Sequence, residues 1–421
     1  MNRITATYDI ESPVGVNHAA AVLAGEQSTG TFVRLAAETE ELRERSAARI
    51  ESVEITGTSL TPSLPSRKSG DTYERGTVTI SWSQDNFGVS LPNLLSTLAG
   101  NLFELAELSA IRLVDIGLPV EFALAHPGPQ FGAAGTRELM GGHDGPLIGT
   151  IIKPSVGLGP SETAALVQTL VDAGIDFIKD DELQANGPHC PFAERVEYVS
   201  AIINRHADET GKRVMYAFNI TDEIDQMWRN LELLEAHDGI CAMICAQSIG
   251  LPGMRAVRDR SSMTMHCHRA GWGLFSRSPD IGISFPVLQK LWRLAGADHI
   301  HVNGLTNKFA ESDAVVAQSA RSVQQPVCAD GGPAHTAMPV YSSGQTVWQV
   351  EPARSLLGND DFIFCAGGGI MSHPSGTAAG VIAVRQAADA ARDGVNVEEY
   401  ALKAPELSIA LQTFKKPTIE L

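Results

Sequence analysis

The chain has 421 residues, a formal net charge of −17 and 43% hydrophobic residues, which is more than one average domain and enough apolar material for a sizeable core. The negative charge argues against nucleic acid or an anionic membrane as a partner, because like charges repel. No run of 18 or more apolar residues occurs, and the N-terminus has no basic stretch followed by an apolar one. We therefore expect a soluble, cytoplasmic, two-domain enzyme without a transmembrane helix or signal peptide.

Residues 1–125 predict a separate α+β domain, which we expect to be ferredoxin-like. Alternating apolar runs predict strands at 3–10, 31–35, 50–56, 77–83 and 111–116, and amphipathic runs predict helices at 16–24 and 91–107. A segment rich in glycine and proline follows and is typical of a connector.

Residues 126–421 read as eight β-α units. The predicted strands are 146–153, 177–181, 213–220, 240–246, 263–269, 298–303, 326–330 and 361–366. The predicted helices are 161–173, 192–210, 224–236, 251–258, 285–294, 312–323, 347–357 and 377–392. Eight units in about 250 residues predict a (β/α)₈ TIM barrel. A doubly wound open sheet is the alternative, because counting units does not prove that the sheet closes.

Six cysteines are spread along the chain without the spacing of a zinc ribbon or a disulfide framework. Four of them lie in apolar, strand-like runs: Cys241, Cys267, Cys328 and Cys365. We interpret the cysteines as small, buried core residues.

Polar residues end several of the predicted barrel strands, where TIM barrels carry their catalytic groups. The most informative cluster ends strand two, where Lys179, Asp181 and Glu182 can share one side because side chains alternate along a strand. One interpretation is an ion pair that neutralises inward-facing charge. The other is an oxygen-rich site for Mg²⁺, a hard cation that prefers carboxylates and water.

Glycines end strand eight at 367–369, and Gly331 and Gly332 end predicted strand seven. Consecutive glycine N–H groups can approach an anion closely, and strands seven and eight are a frequent phosphate location in barrels. Together they predict a phosphate site.

Two His-x-His pairs, at 266–268 and 299–301, suggest a metal-dependent hydrolase as an alternative. Barrels of the amidohydrolase type carry such a pair on strand one, where this chain has Lys153 instead. The hydrolase alternative is therefore less favoured than the Mg²⁺ site.

The segments 149–157 (GTIIKPSVG) and 174–182 (GIDFIKDDE) resemble two signatures of the RuBisCO large chain in order and spacing. Further similar segments follow in family order at 266–270, 296–301, Lys308, 329–332 and 365–374, and the N-terminal segments 25–32 and 100–103 are similar too. The resemblance covers nearly the whole chain and is closest to the RuBisCO-like proteins of form IV.

The resemblance implies that Lys179 is carbamylated by CO₂ and binds Mg²⁺ together with Asp181 and Glu182. It also implies an acid/base role for Lys153 near an enediolate. The other implied substrate contacts are the catalytic residues His268 and Lys308, the phosphate-binding Arg269, and His301, Asp330, Gly331, Gly367 and Gly368. Glu26, Thr31 and Asn101 would reach the barrel of a partner subunit, so we expect a homodimer or a multiple of dimers.

Four positions depart from the carboxylases of this family: Ser155 replaces a second lysine, Trp272 a histidine, Asp330 a serine and Phe32 a tryptophan. A carboxylate near a phosphate or enediolate is repulsive unless it meets a hydroxyl, a metal or a proton. The departures favour a RuBisCO-like protein over an enzyme that fixes CO₂.

We therefore expect a Mg²⁺-dependent enzyme that forms an enediolate from a phosphorylated keto compound. The favoured activity is decarboxylation of a 3-oxo sugar-acid phosphate such as 3-oxo-isoapionate 4-phosphate. The alternatives are an enolase or isomerase of a sugar phosphate, as in methionine salvage, ribulose-bisphosphate carboxylation, and a non-catalytic binding protein.

Overall fold

The computed structural model describes residues 2–30, 35–142 and 144–421. The strands are β1 (Arg3–Ser12), β2 (Arg49–Ser59), β3 (Tyr73–Ser83), β4 (Ala110–Gly117), β5 (Leu147–Ile151), β6 (Phe177–Lys179), β7 (Met215–Asn219), β8 (Cys241–Cys245), β9 (Thr264–His268), β10 (Ile281–Ile283), β11 (His299–Asn303), β12 (Met338–Tyr341) and β13 (Ile363–Cys365). The helices are α1 (Val16–Glu26), α2 (Glu40–Ser46), α3 (Leu91–Ala99), α4 (Val120–Leu124), α5 (Gly132–Leu139), α6 (Pro160–Asp172), α7 (Phe192–Thr210), α8 (Ile224–Ala236), α9 (Ala246–Arg260), α10 (Gly273–Ser276), α11 (Phe285–Leu294), α12 (Asp313–Val323), α13 (Val350–Leu357), α14 (Gly367–Met371), α15 (Thr377–Arg392), α16 (Val397–Tyr400) and α17 (Pro405–Thr413).

The chain divides into two compact units. Unit one comprises the chain up to Pro127 together with Gly271–Leu294 and Pro326–Ala334, and unit two comprises Gly128–Ala270, Ala295–Gln325 and His335–Leu421. The predicted boundary between residues 125 and 126 lies close to the end of the first segment of unit one. The sequence did not predict the two later segments of that unit.

Unit one contains a mixed five-stranded sheet in the order β10-β4-β1-β3-β2. The neighbouring pairs are antiparallel except β10 and β4, which run parallel, with Ile281 opposite Ile111. Apolar side chains alternate along β1, where Ile4, Ala6 and Tyr8 are fully buried. The predicted strands at 3–10, 50–56, 77–83 and 111–116 are confirmed within longer bounds. Residues 31–34 of the predicted strand 31–35 lie outside the described residues.

The predicted helix at 91–107 is too long. The helix α3 ends at Ala99, and a separate 3₁₀ turn covers Asn101–Glu104. Gly100 lies between them with φ −67° and ψ −113°, which is not a helical conformation. A single glycine therefore ends the helix although amphipathic residues continue beyond it.

Unit two contains a closed, parallel eight-stranded barrel, which confirms the predicted TIM barrel and contradicts the open-sheet alternative. The strands follow the order β5-β6-β7-β8-β9-β11-β12-β13, and β13 pairs with β5 to close the sheet. The barrel is filled by fully buried apolar side chains that include Leu147, Phe177, Met215, Met243 and Val340. This layered filling is what barrels of this size require, since their interior is packed and not a pore.

Most of the predicted helices of the barrel region are confirmed, with α7, α8, α11 and α15 beginning and ending at the predicted residues. Local signals explain their ends. Pro160 occupies the first turn of α6, and the side chain of Glu162 accepts a hydrogen bond from the backbone of Gly159 at 2.8 Å. The residue that caps the end of α7 is Gly211, which has φ 73° and so adopts the left-handed conformation that glycine tolerates best.

The predicted seventh barrel strand at 326–330 is wrong. The seventh strand is β12, which pairs with β11 and β13, and residues 326–330 belong to unit one and form no strand. Two short apolar runs, each followed by glycine, lie within 20 residues of one another in this region. The second run contains Pro339, which cannot donate a ladder hydrogen bond and so argues against a strand at the sequence level.

Candidate active site

The side chains predicted to form the site in unit two follow the carboxyl ends of barrel strands. Lys179 ends β6, and Asp181 and Glu182 lie in the loop after it. Lys153 lies two residues after β5, and His268 ends β9. Because β6 pairs with both β5 and β7 in the closed sheet, these groups share one face of the barrel.

Lys179 is fully buried, and its amine lies near a carboxylate of the loop that follows β6. Its Nζ donates a hydrogen bond to the backbone oxygen of Asp180 at 2.7 Å and lies 3.7 Å from Oε2 of Glu182. The predicted grouping of Lys179 with Glu182 is therefore present in the structure.

Asp180, between these residues, points the other way and anchors the strand end. Its carboxylate accepts hydrogen bonds from Arg195 of α7 at 3.1 Å and from the hydroxyl of Tyr216 at 2.6 Å. The backbone N–H of Asn219 donates to the same carboxylate at 2.8 Å. Asp180 and Arg195 are both fully buried, so this ion pair is structural and is separate from the acids around Lys179.

The two acids of the cluster have different partners. Oδ2 of Asp181 lies 2.6 Å from Nζ of Lys153, which also donates to the hydroxyl of Ser155 at 2.7 Å. Glu182 has Lys179 on one side and Nε2 of His268 at 3.4 Å on the other. Two lysine side chains therefore pair with two carboxylates in this cluster.

The histidines of β9 and β11, the fifth and sixth strands of the barrel, form a connected set of contacts. Nδ1 of His268 accepts the backbone N–H of Ala270 at 3.2 Å, so a neutral ring carries its proton on Nε2, the nitrogen that faces Glu182. His301 contacts Nε2 of His266 at 2.8 Å and the hydroxyl of Ser342 at 2.9 Å. Burial is the main reason that the pKa values of His268 and His301 lie well below their usual value, with the charge of Lys179 acting in the same direction.

His266 and Ser342 were missed as members of the site. The His-x-His spacing places His266 and His268 on the same side of β9, because every second residue of a strand faces one way. Ser342 directly follows β12, and it was overlooked because strand seven was assigned to the wrong segment.

Asp330 and Gly331 do not follow a barrel strand. Both are exposed and belong to unit one, whereas Ser342, Ser343 and Gly344 follow β12. The predicted substrate contacts of Asp330 and Gly331 relied on a strand at 326–330, so the structure removes the basis for these contacts. It also removes the interpretation of Asp330 as a carboxylate that replaces a serine of the carboxylases.

Gly367 and Gly368 begin the short helix α14 directly after β13. A Cβ on Gly367 would lie 3.9 Å from Cε of Lys153, so this glycine lies beside the lysine of strand one. Gly369 has another role: a Cβ there would lie 2.4 Å from the backbone oxygen of Gln345. The first two glycines therefore remain candidates for phosphate contact, and the third is required for packing.

Arg269 and Lys308 have contrasting surroundings. Arg269 forms an ion pair with Glu311, and burial lowers the pKa of its guanidinium. Lys308 is exposed, with Nζ 5.4 Å from the centre of the Phe309 ring.

Two of the three residues predicted to reach a partner subunit lie close together in unit one. Nδ2 of Asn101 lies 3.5 Å from Oε1 of Glu26, and both side chains are exposed. Thr31 lies outside the described residues. Trp272 is buried in unit one against Phe275 and Phe285 and is a packing residue.

The chemistry of the donor set decides whether Mg²⁺ fits this cluster. Within the described residues, no group of three or more His, Cys, Asp or Glu side chains could hold a metal ion. Asp181 and Glu182 supply two carboxylates, and the third neighbour is the buried amine of Lys179. A carbamate on that amine would add the missing anionic oxygen, so the residues fit a hard divalent cation only with modified Lys179.

All six cysteines are free and buried, as predicted. No helix in the described part of the chain is both long and apolar enough to cross a membrane.

Comparisons with known proteins agree with this fold. A family model described as "Ribulose bisphosphate carboxylase large chain, catalytic domain" matches residues 132–414, and the model of the N-terminal domain of the same family matches residues 2–122. The chain is 51% identical over 409 residues to a 3-oxo-isoapionate-4-phosphate transcarboxylase/hydrolase of Xanthobacter autotrophicus, covering 97% of this chain and 98% of the relative. It is 41% identical over 413 residues to a 3-oxo-isoapionate-4-phosphate decarboxylase of Rhizobium etli, covering 98% of each chain.

The crystal structure of a rubisco-like protein from Burkholderia fungorum has the same fold. It superposes with a TM-score of 0.92 at 41% identity, covering 98% of this chain and 100% of that chain. The mixed-sheet domain, the closed barrel and the lysine–carboxylate cluster together with these matches establish that the chain belongs to the RuBisCO large-chain family and is one of its RuBisCO-like members.

Proposed function

We propose that this chain is a Mg²⁺-dependent decarboxylase of a 3-oxo sugar-acid phosphate, with 3-oxo-isoapionate 4-phosphate as the preferred candidate. The observation that carries the proposal is the convergence of Lys153, Lys179, Asp181 and Glu182 at the carboxyl end of the barrel. The names of two relatives that align along their whole length specify this substrate.

In this proposal Mg²⁺ would be held by carbamylated Lys179, Asp181 and Glu182. Held there, it would supply positive charge that polarises the keto group of the substrate and offsets the negative charge that develops on its oxygen. His268, whose Nε2 carries the proton of the neutral ring, donates a hydrogen bond to a substrate oxygen. Its depressed pKa keeps the ring neutral, so it donates without adding a charge.

The reaction breaks the bond between the carboxyl carbon and the carbon next to it. The electron pair of that bond moves toward the keto group as CO₂ leaves, because the carboxylate of a 3-oxo acid lies β to the ketone. The ammonium of Lys153 then donates a proton to the carbon that lost CO₂, and the amine regains its proton from water. Decarboxylation therefore consumes one proton overall.

The remaining candidates bind and orient the substrate. Lys308 is exposed on loop six, residues 304–312 between β11 and α12, and is suited to pairing with the substrate carboxylate before it leaves. His301 lies in β11, and Arg269, which pairs with Glu311, directly follows β9. Gly367 and Gly368 offer backbone N–H groups to the phosphate beside Lys153. Glu26, Thr31 and Asn101 complete the site from a partner subunit, so the active unit is a dimer or a multiple of dimers.

The test is to mix the protein with Mg²⁺, bicarbonate and 3-oxo-isoapionate 4-phosphate labelled with ¹³C in the carboxyl group. NMR should detect the label in CO₂ and bicarbonate, and Lys179→Ala should abolish the reaction. Glu351→Gln, an exposed change on α13, serves as the control and should react like the parent. No labelled CO₂ from the parent protein would reject the proposal.

The name of the transcarboxylase/hydrolase relative specifies a second outcome that the same labelled substrate can detect. If the carboxyl label appears in a new carboxylic acid and not in CO₂, the chain transfers or hydrolyses the group. Deuterium incorporation from D₂O without bond cleavage would instead indicate an enolase or isomerase. Fixation of ¹⁴CO₂ with ribulose bisphosphate would indicate a carboxylase.

A further inference from the structure

The guanidinium group to which the family resemblance assigns phosphate binding already forms an ion pair with a carboxylate. Arg269 directly follows β9, and Glu311 lies on loop six, three residues after Lys308. Nη1 of the arginine lies 3.4 Å from Oε1 of Glu311, and Nη2 donates a hydrogen bond to Oε2. The two side chains are only 10% and 13% exposed, so the pair is largely shielded from water.

The position of this carboxylate is fixed by a second donor. Nδ2 of Asn303, at the end of β11, donates to Oε2 of Glu311 at 3.0 Å. Asn303 is buried and holds a left-handed backbone with φ 72°, a conformation that asparagine tolerates better than most residues. Glu311 therefore occupies a position built from an arginine fork and an amide, and does not pair with Arg269 by chance at the surface.

An arginine fork binds the oxygens of one carboxylate or phosphate in a bidentate arrangement. A phosphate approaching Arg269 must displace Glu311 or share one cation with it. Both alternatives are unfavourable, because displacement breaks shielded charge-assisted hydrogen bonds and sharing brings two anions together.

We propose that Glu311 is a specificity-determining residue that prevents Arg269 from accepting a phosphate, so that the site prefers substrates with one phosphate over bisphosphates. The inference rests on the proposed function in one respect, namely that the substrate binds at this face of the barrel. The substrate in the names of the two relatives carries a single phosphate, at position 4.

The test compares the binding of two unreactive ligands, xylitol 5-phosphate and xylitol 1,5-bisphosphate, by isothermal titration calorimetry. In the parent protein the second phosphate should improve affinity by less than about threefold. In Glu311→Gln the bisphosphate should bind at least about tenfold more tightly than the monophosphate, as expected for a gained charge-assisted hydrogen bond. Affinity for the monophosphate should stay the same, and Glu351→Gln should behave as the parent.

A second measurement covers the case in which Glu311→Gln weakens folding by leaving the Arg269 charge without its carboxylate. Inorganic phosphate should raise the melting temperature of this variant more than that of the parent, because the anion replaces the lost carboxylate. The double variant Glu311→Gln/Arg269→Gln removes both charges, and it should lose the extra phosphate response and the gain for the bisphosphate.

Four results would overturn the inference. The first is a parent protein that already binds the bisphosphate more than about threefold more tightly than the monophosphate, and the second is an equal change for both ligands in Glu311→Gln. The third is a bisphosphate gain that persists in the double variant, and the fourth is failure of Glu311→Gln to bind the bisphosphate. Because neither ligand can lose CO₂, these results are independent of the decarboxylation assay. A missing decarboxylase activity with the expected binding pattern would reject the proposed reaction alone.

Discussion

Replacing Asp180 with asparagine should destabilise the protein far more than removing an acid at the surface. Asp180 and Arg195 are fully buried, with Arg195 Nη2 3.1 Å from Oδ2 and Nε at 3.3 Å. The same carboxylate accepts Tyr216 at 2.6 Å and the backbone of Asn219 at 2.8 Å. Asparagine keeps the shape but leaves the buried guanidinium without its counter-charge.

Removing one partner of a buried pair costs about 3–5 kcal/mol, and the number of donors on Asp180 favours the upper part of that range. At about 2 °C per kcal/mol for a unit of this size, the melting temperature should fall by about 6–10 °C. Urea unfolding followed by circular dichroism gives the free energy change, and calorimetry gives the shift in melting temperature.

The matched control is the exposed pair between Arg255 and Asp259, 2.8 Å apart with side chains 39% and 52% exposed. Asp259→Asn should cost less than about 1 kcal/mol, because water screens the pair. In the double variant Asp180→Asn/Arg195→Gln, the combined loss should be smaller than the sum of the single losses. A loss below about 1 kcal/mol for Asp180→Asn would refute the reasoning.

Three further predictions concern packing, pH and thiol chemistry. Gly369→Ala should cost about 1–3 kcal/mol in unfolding free energy, because its Cβ would lie 2.4 Å from the backbone oxygen of Gln345. The control Gly187→Ala, which has open space around it, should be nearly neutral. Equal urea midpoints for the two variants would contradict this prediction. Burial lowers the pKa of His299 to about 3, so the unfolded chain binds a proton below about pH 6.5 that the folded chain does not. Stability should therefore fall between pH 6.5 and 3 by up to about 1.4 kcal/mol per pH unit from this residue, and His299→Gln should show a shallower slope in urea titrations across that range. The six cysteines are free and buried, so a thiol reagent such as DTNB should label none of them at neutral pH until urea unfolds the chain, and rapid labelling of the native protein would argue against this burial.

The sequence predicted the barrel well because its signals are repeated. Parallel strands buried on both faces read as continuous apolar runs, and the amphipathic helices between them have clear ends, such as Gly211 after α7. Strand seven was misassigned where two similar runs compete and the true strand contains Pro339. Which of two runs joins a sheet depends on its neighbours in space, and a local pattern does not contain that information.

The lysine–acid cluster could be predicted because its members are nearly consecutive in the chain. The alternation of side chains along a strand and their proximity in the chain were enough to predict that Lys179, Asp181 and Glu182 lie close together, without any tertiary information. The ion pair between Arg269 and Glu311 could not be predicted this way, because 42 residues separate the partners. It depends on the path of loop six, for which the sequence offers no periodic signal.

The strand β10 affects how the protein is made. During synthesis, β4 emerges from the ribosome long before Ile281–Ile283 exists to pair with it. Until then β4 is an edge strand with unpaired backbone groups, and these groups can pair with other nascent chains. A fragment that stops before β10 should therefore tend to aggregate, and the complete chain is protected only once this late segment has paired.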